Sequence, residues 1–151
     1  MKTVLTYGTY DLFHVGHVRL LKRLHSMGDR LIVGCSSDEF NRLKGKTSIF
    51  SYEERAEILQ SCEFVDLVFP EHHWDQKVDD IKTYQASIFA MGDDWSGKFD
   101  HLSEFTEVYY LPRTDGISTT DIKSILSSSQ EQKIMQIKNA LNTVNDLVSK
   151  I

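Results

Sequence analysis

Apolar runs alternate with helical patterns along the whole chain. Lys2 to Tyr7 (KTVLTY) reads as a short buried strand. From Val15 to Met27 the apolar positions Val15, Val18, Leu21 and Leu24 fall at helical spacing. Arg30 to Cys35 (RLIVGC) predicts a second strand, after a Gly28-Asp29 turn. Ser51 to Cys62 predicts a helix, with Ser51 as N-cap and Glu54 three residues on, the capping-box pattern. Val65 to Phe69 reads as a third strand stopped by Pro70, and Asp75 to Tyr84 as a helix. Ser87 to Met91 and Glu107 to Leu111 read as the fourth and fifth strands, the last stopped by Pro112. Ser118 to Leu126 reads as a short helix.

Strands separated by helices of this length predict an α/β fold: a Rossmann-like, mostly parallel five-stranded sheet flanked by helices. Ligands of such sheets bind beyond the carboxyl ends of the strands. Gly8 to His17, Gly92 to Lys98 and Pro112 to Thr120 fall at such ends, and all three are rich in polar and charged residues. One such stretch would pass for a loop; three together favour a site.

After Leu126 the run SSSQ reads as a linker, so residues 1–126 are expected to form one domain, and residues 127–151 a linker and a C-terminal amphipathic helix. Ile134, Ile137, Leu141, Val144, Val148 and Ile151 recur at alternating steps of three and four, a heptad seam. It covers under three heptads, short for an isolated coiled coil. A helix packed on its own domain and a helix between subunits both remain open.

The chain has 151 residues and a formal net charge of -5, which argues against nucleic acid as the main partner. A small anionic substrate needs only a local positive cluster. MKTVLTYGTYD lacks the long apolar core and cleavage site of a signal peptide. No run approaches the ~20 apolar residues of a membrane helix, so no membrane insertion is expected. Cys35 and Cys62 form no CxxC or metal-spaced pattern and read as buried free thiols of a reducing cytoplasm.

The first polar stretch carries the chemistry. Gly8 follows the first strand, where a glycine lets a ligand approach the backbone. His14 and His17 stand at the start of the next helix, where free N–H groups and the dipole attract phosphate. Three residues apart, both imidazoles can face one anion. Gly16 between them leaves room for it. Such a pair suits phosphoryl or nucleotidyl transfer, in which positioning and charge stabilisation do most of the work. The spacing is not the usual i,i+4 zinc pair.

GTYDLFHVGH resembles the H-x-G-H signature of the nucleotidyltransferase α/β superfamily, and PRTDGISTT resembles the R-T-x-G-I-S-T-T motif of its cytidylyltransferases. Adenylyltransferases of this size more usually carry I-S-S-T-x-x-R, whereas here Lys123 follows the Ser/Thr run. With SYEERAEIL, WDQK and FAMGDDWSGKFD, the resemblance runs from Met1 to Leu126 and is nearest to the glycerol-3-phosphate cytidylyltransferase family. It implies transfer of a cytidylyl group from CTP to sn-glycerol 3-phosphate with Mg2+, giving CDP-glycerol and pyrophosphate. It also implies a cytoplasmic homodimer that supplies teichoic acid or capsule-type polymers. Another small alcohol phosphate as acceptor, an ATP-dependent adenylyltransferase, and a nucleotide-binding module without activity are the competing readings.

Carried over by motif, the resemblance implies a role for each residue. His14 and His17 bind the triphosphate and stabilise the transition state, with Gly8, Thr9, Tyr10 and Gly16 around the nucleotide. Asp11 holds magnesium or orients the acceptor, or is a turn residue; the magnesium ligands stay unassigned. In LKGKTS, Lys44 faces the α-phosphate and Lys46 the acceptor phosphate, with Arg55 a second candidate for substrate phosphate. Solvated surface lysines are the plain alternative. Trp74 and Lys77 lie near the acceptor, the lysine reaching across a dimer. Gly92 and Asp94 serve the ribose or cytosine, and Trp95 packs near the base or in the core. Arg113 pairs with the β- or γ-phosphate, while Thr114, Gly116, Ser118, Thr119 and Thr120 hold phosphate from the loop and helix start. Two residues depart from the family pattern. Val15 replaces an aromatic residue within H-x-G-H, and Glu63 stands where the family has an arginine, which puts the acceptor in question.

Overall fold

The computed structural model describes residues 1–113 and 118–150. The chain divides into two units, Met1–Gly116 and Ile117–Ile151. The first contains β1 (Thr3–Gly8), α1 (Val15–His25), β2 (Arg30–Ser36), α2 (Asp38–Leu43), α3 (Tyr52–Gln60), β3 (Leu67–Glu71), α4 (Lys77–Thr83), β4 (Ile88–Gly92) and β5 (Glu107–Leu111). The second is one helix, α5 (Thr119–Ser149).

All five strands are parallel, in the order β3-β2-β1-β4-β5. The chain winds outward from β1 to β3, then returns to place β4 on the other side of β1. The strand order therefore reverses between β1 and β4, which opens a crevice at their carboxyl ends. Both faces of the sheet are covered, which is why the strands read as continuous apolar runs. Val4, Leu31 and Val33 pack with Leu21 and Leu24 of α1 and Leu59 of α3. Their neighbours Leu5, Ile32 and Phe89 point the other way, toward Ile81 of α4, Phe99 and Leu102.

Several expectations change at this level. Pro70 does not stop β3: it lies within the strand, opposite Cys35. The strand is at the sheet edge, where a residue without an N–H is tolerated. Asp38–Leu43 forms a helix, too short to show a period in sequence, with the Ser37 side chain accepting from the Phe40 amide at 3.1 Å. Ser51 caps α3 and accepts from the Glu54 amide at 3.3 Å. Its hydroxyl donates to the Glu54 carboxylate (3.1 Å), and this replaces the expected return bond to the backbone. Asp75 falls in a short 3-10 turn, Trp74–Gln76, that leads into α4. The SSSQ run is no linker, since α5 passes straight through it. Serine lowers helix propensity only slightly, and neither Gly nor Pro is present there to break the helix. Cys35 is buried as expected, Cys62 only partly, and both are free. No helix among the described residues is long and apolar enough to cross a membrane.

Arg55 of α3 is the largest fully buried side chain. Its Nε donates to Phe50 O (3.0 Å), one terminal nitrogen to Thr9 O (2.9 Å) and to Cys35 Sγ (3.4 Å), and the other to Asp38 Oδ1 (2.8 Å). One guanidinium thus ties α3 to the end of β1, to α2 and to the loop between α2 and α3. It is not free to meet a substrate phosphate, which corrects the role expected for it. Arg55→Ala would strand the buried acceptors and is expected to cost about 3–5 kcal/mol in denaturant unfolding; a loss under about 1 kcal/mol would contradict this structural role.

Candidate active site

The turn after β1 is held by two unusual backbones. Tyr10 and Leu12 lie at φ 55° and 50°, in the left-handed region. Tyr10 folds its ring back under the strand, where a Cβ on Gly8 would come within 2.7 Å of it. Glycine at position 8 is therefore a packing requirement as well as an opening. Asp11 is buried and accepts from the amides of Leu12 (3.1 Å), Ile49 (2.7 Å) and Phe50 (3.0 Å). Its carboxylate anchors the loop that follows α2, so the expected magnesium or acceptor role gives way to a structural one.

His14 and His17 then form a reciprocal cap. His14 is the N-cap of α1, and its Nδ1 accepts from the Gly16 amide at 3.0 Å. His17 returns the arrangement, its Nδ1 accepting from the His14 amide at 3.2 Å. A ring nitrogen that accepts carries no proton, so each neutral imidazole carries its proton on Nε2. The rings are 4.0 Å apart between centroids, and His17 is also stacked on Phe13. His14 Nε2 is buried with no hydrogen-bond partner. A buried donor without an acceptor is costly and marks a place for one. Burial, then the neighbouring His14, pushes the His17 imidazole down to about 4 against an opposing pull from Asp11. Burial also lowers His14. Both are therefore neutral donors at neutral pH.

His17 borders the crevice foreseen by the topology, with the His14 ring packed against it. A cleft of about 230 Å³ is lined by Gly8, Thr9, Tyr10 and His17 on one side and by Met91, Gly92, Asp94 and Trp95 on the other. A Cβ on Gly92 would meet nothing within 4 Å, so any side chain there would project into open space. Thr9 is fixed by its hydroxyl bond to Asn41 (3.1 Å). Trp95 lines the cleft and also packs on Phe99, with ring centres 5.5 Å apart.

A second cluster lies at the carboxyl ends of β2 and β3. Lys44 Nζ sits 3.0 Å from Ser36 Oγ and 4.5 Å from the Phe40 ring centre. Burial lowers the Lys44 ammonium, while Glu71 pushes it back up. Trp74 is half exposed and stands between this cluster and the cleft, 5.0 Å from Phe40 and 6.1 Å from Trp95. Lys77 is buried and bonded to Glu71 at 2.7 Å. Its ammonium is thus spent inside the fold and is not presented to an acceptor, as had been expected. Lys46 does not join Lys44 either. The chain turns at Gly45 (φ 75°), and Lys46 lines a separate cavity with Asp38 and Arg42.

Arg113 is exposed beyond the end of β5, with its amide 3.4 Å from Asp93 Oδ2. Thr114 and Gly116 lie outside the described residues. Ser118 is the N-cap of α5 and shares a capping box with Asp121, and Thr119 opens the helix. Glu63 lies elsewhere. It is exposed in the turn between α3 and β3, beside Phe64, whose ring is 6.0 Å from that of His25 at the far end of α1. The eleven residues of α1 put that end about 16 Å from the histidine cap. Glu63 also precedes β3, whereas Lys44 bonds Ser36 beside Glu71 at the other end of that strand, so the length of β3 separates Glu63 from the Lys44 cluster of its own chain. Ser36 and Glu71 were missed in the sequence. Both end an observed strand, one and two residues past the predicted ends Cys35 and Phe69, and the carboxyl-end rule applied there would have found them.

The histidine cap has a pH signature. Between pH 6.5 and about 4 the unfolded chain binds a proton that folded His17 refuses. Stability from this group is complete above 6.5 and falls as pH drops toward 4. An NMR titration of His17 in the free protein should show a midpoint near 4; a midpoint at or above 6.5 would contradict the buried, neutral cap.

The Cytidylyltransferase-like family model matches residues 5–125. A glycerol-3-phosphate cytidylyltransferase of Bacillus spizizenii is 56% identical over 128 residues, covering 85% of this chain and 99% of that protein. One from Staphylococcus aureus is 55% identical, covering 83% and 96%. Among solved structures, a lipopolysaccharide core biosynthesis protein from Thermoplasma volcanium superposes with a TM-score of 0.66 at 24% identity, over 76% of this chain and 99% of that one, a likeness of fold. With the histidine cap at the switch point of a parallel sheet, these relationships make the chain a member of the cytidylyltransferase family, among the glycerol-3-phosphate cytidylyltransferases.

Proposed function

We propose that the protein transfers the cytidylyl group of CTP to sn-glycerol 3-phosphate, giving CDP-glycerol and pyrophosphate. The observation that carries the reading is the reciprocal His14–His17 cap, in which His14 Nε2 is buried without a partner and His17 lines the cleft at the switch point. A phosphate oxygen of the acceptor attacks the α-phosphorus of CTP, and the bond to the β-phosphate oxygen breaks. Charge grows on the phosphate oxygens during this exchange, so fixed donors aimed at them lower the barrier. The two Nε2–H groups supply such donors without needing a protonated histidine. By the family motif, Lys44 supplies positive charge to the α-phosphate and Arg113 matches the leaving pyrophosphate. Thr114, Gly116, Ser118 and Thr119 belong to the motif that holds the rest of the triphosphate.

Mg2+ supplies neutralisation of phosphate charge when bound. The described residues contain no cluster of three or more His, Cys, Asp or Glu placed for a metal. Magnesium favours oxygen donors and is usually bound through one or two carboxylates together with substrate phosphates. Asp94 is the carboxylate lining the cleft and the residue to complete its shell.

The acceptor reading is supported by the 54–56% identity to relatives of that name and by the position of Glu63 away from its own chain's cluster. The protein is proposed to act in the cytoplasm and to feed glycerol phosphate polymers such as teichoic acids. It is proposed to work as a homodimer in which α5 contributes through Ile134, Ile137, Leu141, Val144 and Val148, all exposed along one seam.

Pyrophosphate release with CTP or ATP against a panel of phosphorylated alcohols tests the reaction. CTP with sn-glycerol 3-phosphate should be the preferred pair, and His14→Ala or His17→Ala should each lower kcat by about 10²–10³. Turnover with ATP alone, or a near-normal rate in either variant, would overturn the reading. Removing residues 130–151 should lower the mass in solution by more than the deleted segments alone; an unchanged subunit count would dismiss the role of α5.

A further inference from the structure

Two lysines near the carboxyl edge of the sheet share one acid. Glu71 ends β3 and is 3% exposed. Its Oε2 accepts from Lys77 Nζ at 2.7 Å, and its Oε1 accepts from the Ser36 hydroxyl at 3.1 Å. Ser36 ends β2, lies beside Glu71 in the strand register and is fully buried. Its Oγ accepts in turn from Lys44 Nζ at 3.0 Å. A hydroxyl has one proton to give. Having given it to Glu71, Ser36 presents only lone pairs to Lys44, so the direction of every bond in the chain is set.

The two ends of this chain differ. Lys77 is buried against the rings of Tyr7 (4.6 Å) and Phe99 (5.3 Å), and Glu71 matches its charge. Turning either partner away would leave a buried charge unpaired, at a cost that keeps the pair in place. Lys44 is half-buried; its ammonium donates to the serine oxygen and lies over the Phe40 ring, and among the described residues no acid pairs with it directly. A lysine stem has four rotatable bonds and loses much entropy when it is ordered. One fixed acceptor that holds it before substrate arrives removes that cost from the reaction step.

We propose that the buried Lys77–Glu71 pair, acting through Ser36, aims the Lys44 ammonium at the reacting phosphate, which makes Ser36 and Glu71 positioning residues for nucleotidyl transfer. This rests on the cytidylyl-transfer reading and on Lys44 as its phosphate-facing cation. The pair gives buried Lys77 a role: it holds the acid that holds the serine. The charges acting on Lys44 are Glu71 from β3, Lys77 from α4, Arg55 from α3 and Lys46 from its own loop. Of these only Glu71 favours the ammonium, and the Ser36 bond favours it too. Loss of either therefore moves the titration of Lys44 to lower pH.

The test compares the full chain with Ser36→Ala, Glu71→Gln, Lys44→Ala and the Ser36→Ala/Lys44→Ala double variant. Ser36→Ala leaves the Lys77–Glu71 pair intact, so it carries the test if Glu71→Gln folds poorly. It should unfold like the wild type, lower kcat about tenfold or more with little change in KM for CTP, and move the alkaline limb of kcat to lower pH. In the Lys44→Ala background it should cause no further loss. The Lys44 side-chain NMR signal in substrate-free protein should titrate at lower pH in Ser36→Ala than in wild type. An unchanged kcat, an equal loss with and without Lys44, or an unchanged Lys44 titration would overturn the proposal. Full activity of Lys44→Ala would overturn it as well, while leaving cytidylyl transfer standing. Absence of CDP-glycerol from the wild type would overturn the reaction itself, with the Lys44 titration still deciding whether the relay exists.

Discussion

The site depends on one reciprocal arrangement, in which two backbone amides at the start of α1 donate to the Nδ1 atoms of His14 and His17. Helix N-termini always leave amides to be satisfied. Most helices use serine, threonine or aspartate for this, and the cap then ends its role. Here the capping groups are imidazoles, and capping uses only one of their two nitrogens. The same bonds that start the helix fix the tautomer and leave an Nε2–H on each ring for a ligand. Folding and catalytic preparation are therefore one event. Gly16 takes part directly, because its amide is the donor that holds His14.

Everything around the cap keeps it in place. Tyr10 packs beneath His17 with ring centres 5.4 Å apart, and Gly8 makes room for that tyrosine. Asp11 and Arg55 bind the next loop to the end of β1 from two directions, one through backbone amides and the other through carbonyls. Two charged groups are thus used as internal struts near a site for a highly charged substrate. The parallel sheet contributes the position, since the cap follows β1 and β1 adjoins β4 where the strand order reverses.

The strand-and-helix pattern was legible because both sheet faces are buried and each strand is a short apolar run. The histidine pair and the Ser/Thr run were legible because their spacing is local. What misled was burial, which no local pattern reveals. Arg55, Lys77 and Asp11 are polar residues in polar surroundings of the sequence, yet each is enclosed. Lys44 and Lys46 were expected at the α-phosphate and the acceptor phosphate of one site. Gly45 turns the chain between them and separates them. Pro70 looked like a strand end only because an edge position cannot be read from the strand itself. Glu63 had seemed to threaten the acceptor site; its place at the far end of α1 was beyond reach of sequence position alone.

The central claim is that the fold holds both histidines as neutral Nε2–H donors before substrate binds. Long-range proton–nitrogen NMR of the free protein at pH 7 reads this directly. Both His14 and His17 should show an unprotonated Nδ1 and a protonated Nε2, and the Nε2–H signals should shift on addition of CTP. A protonated Nδ1 on either ring, or a doubly protonated imidazole, would contradict the account.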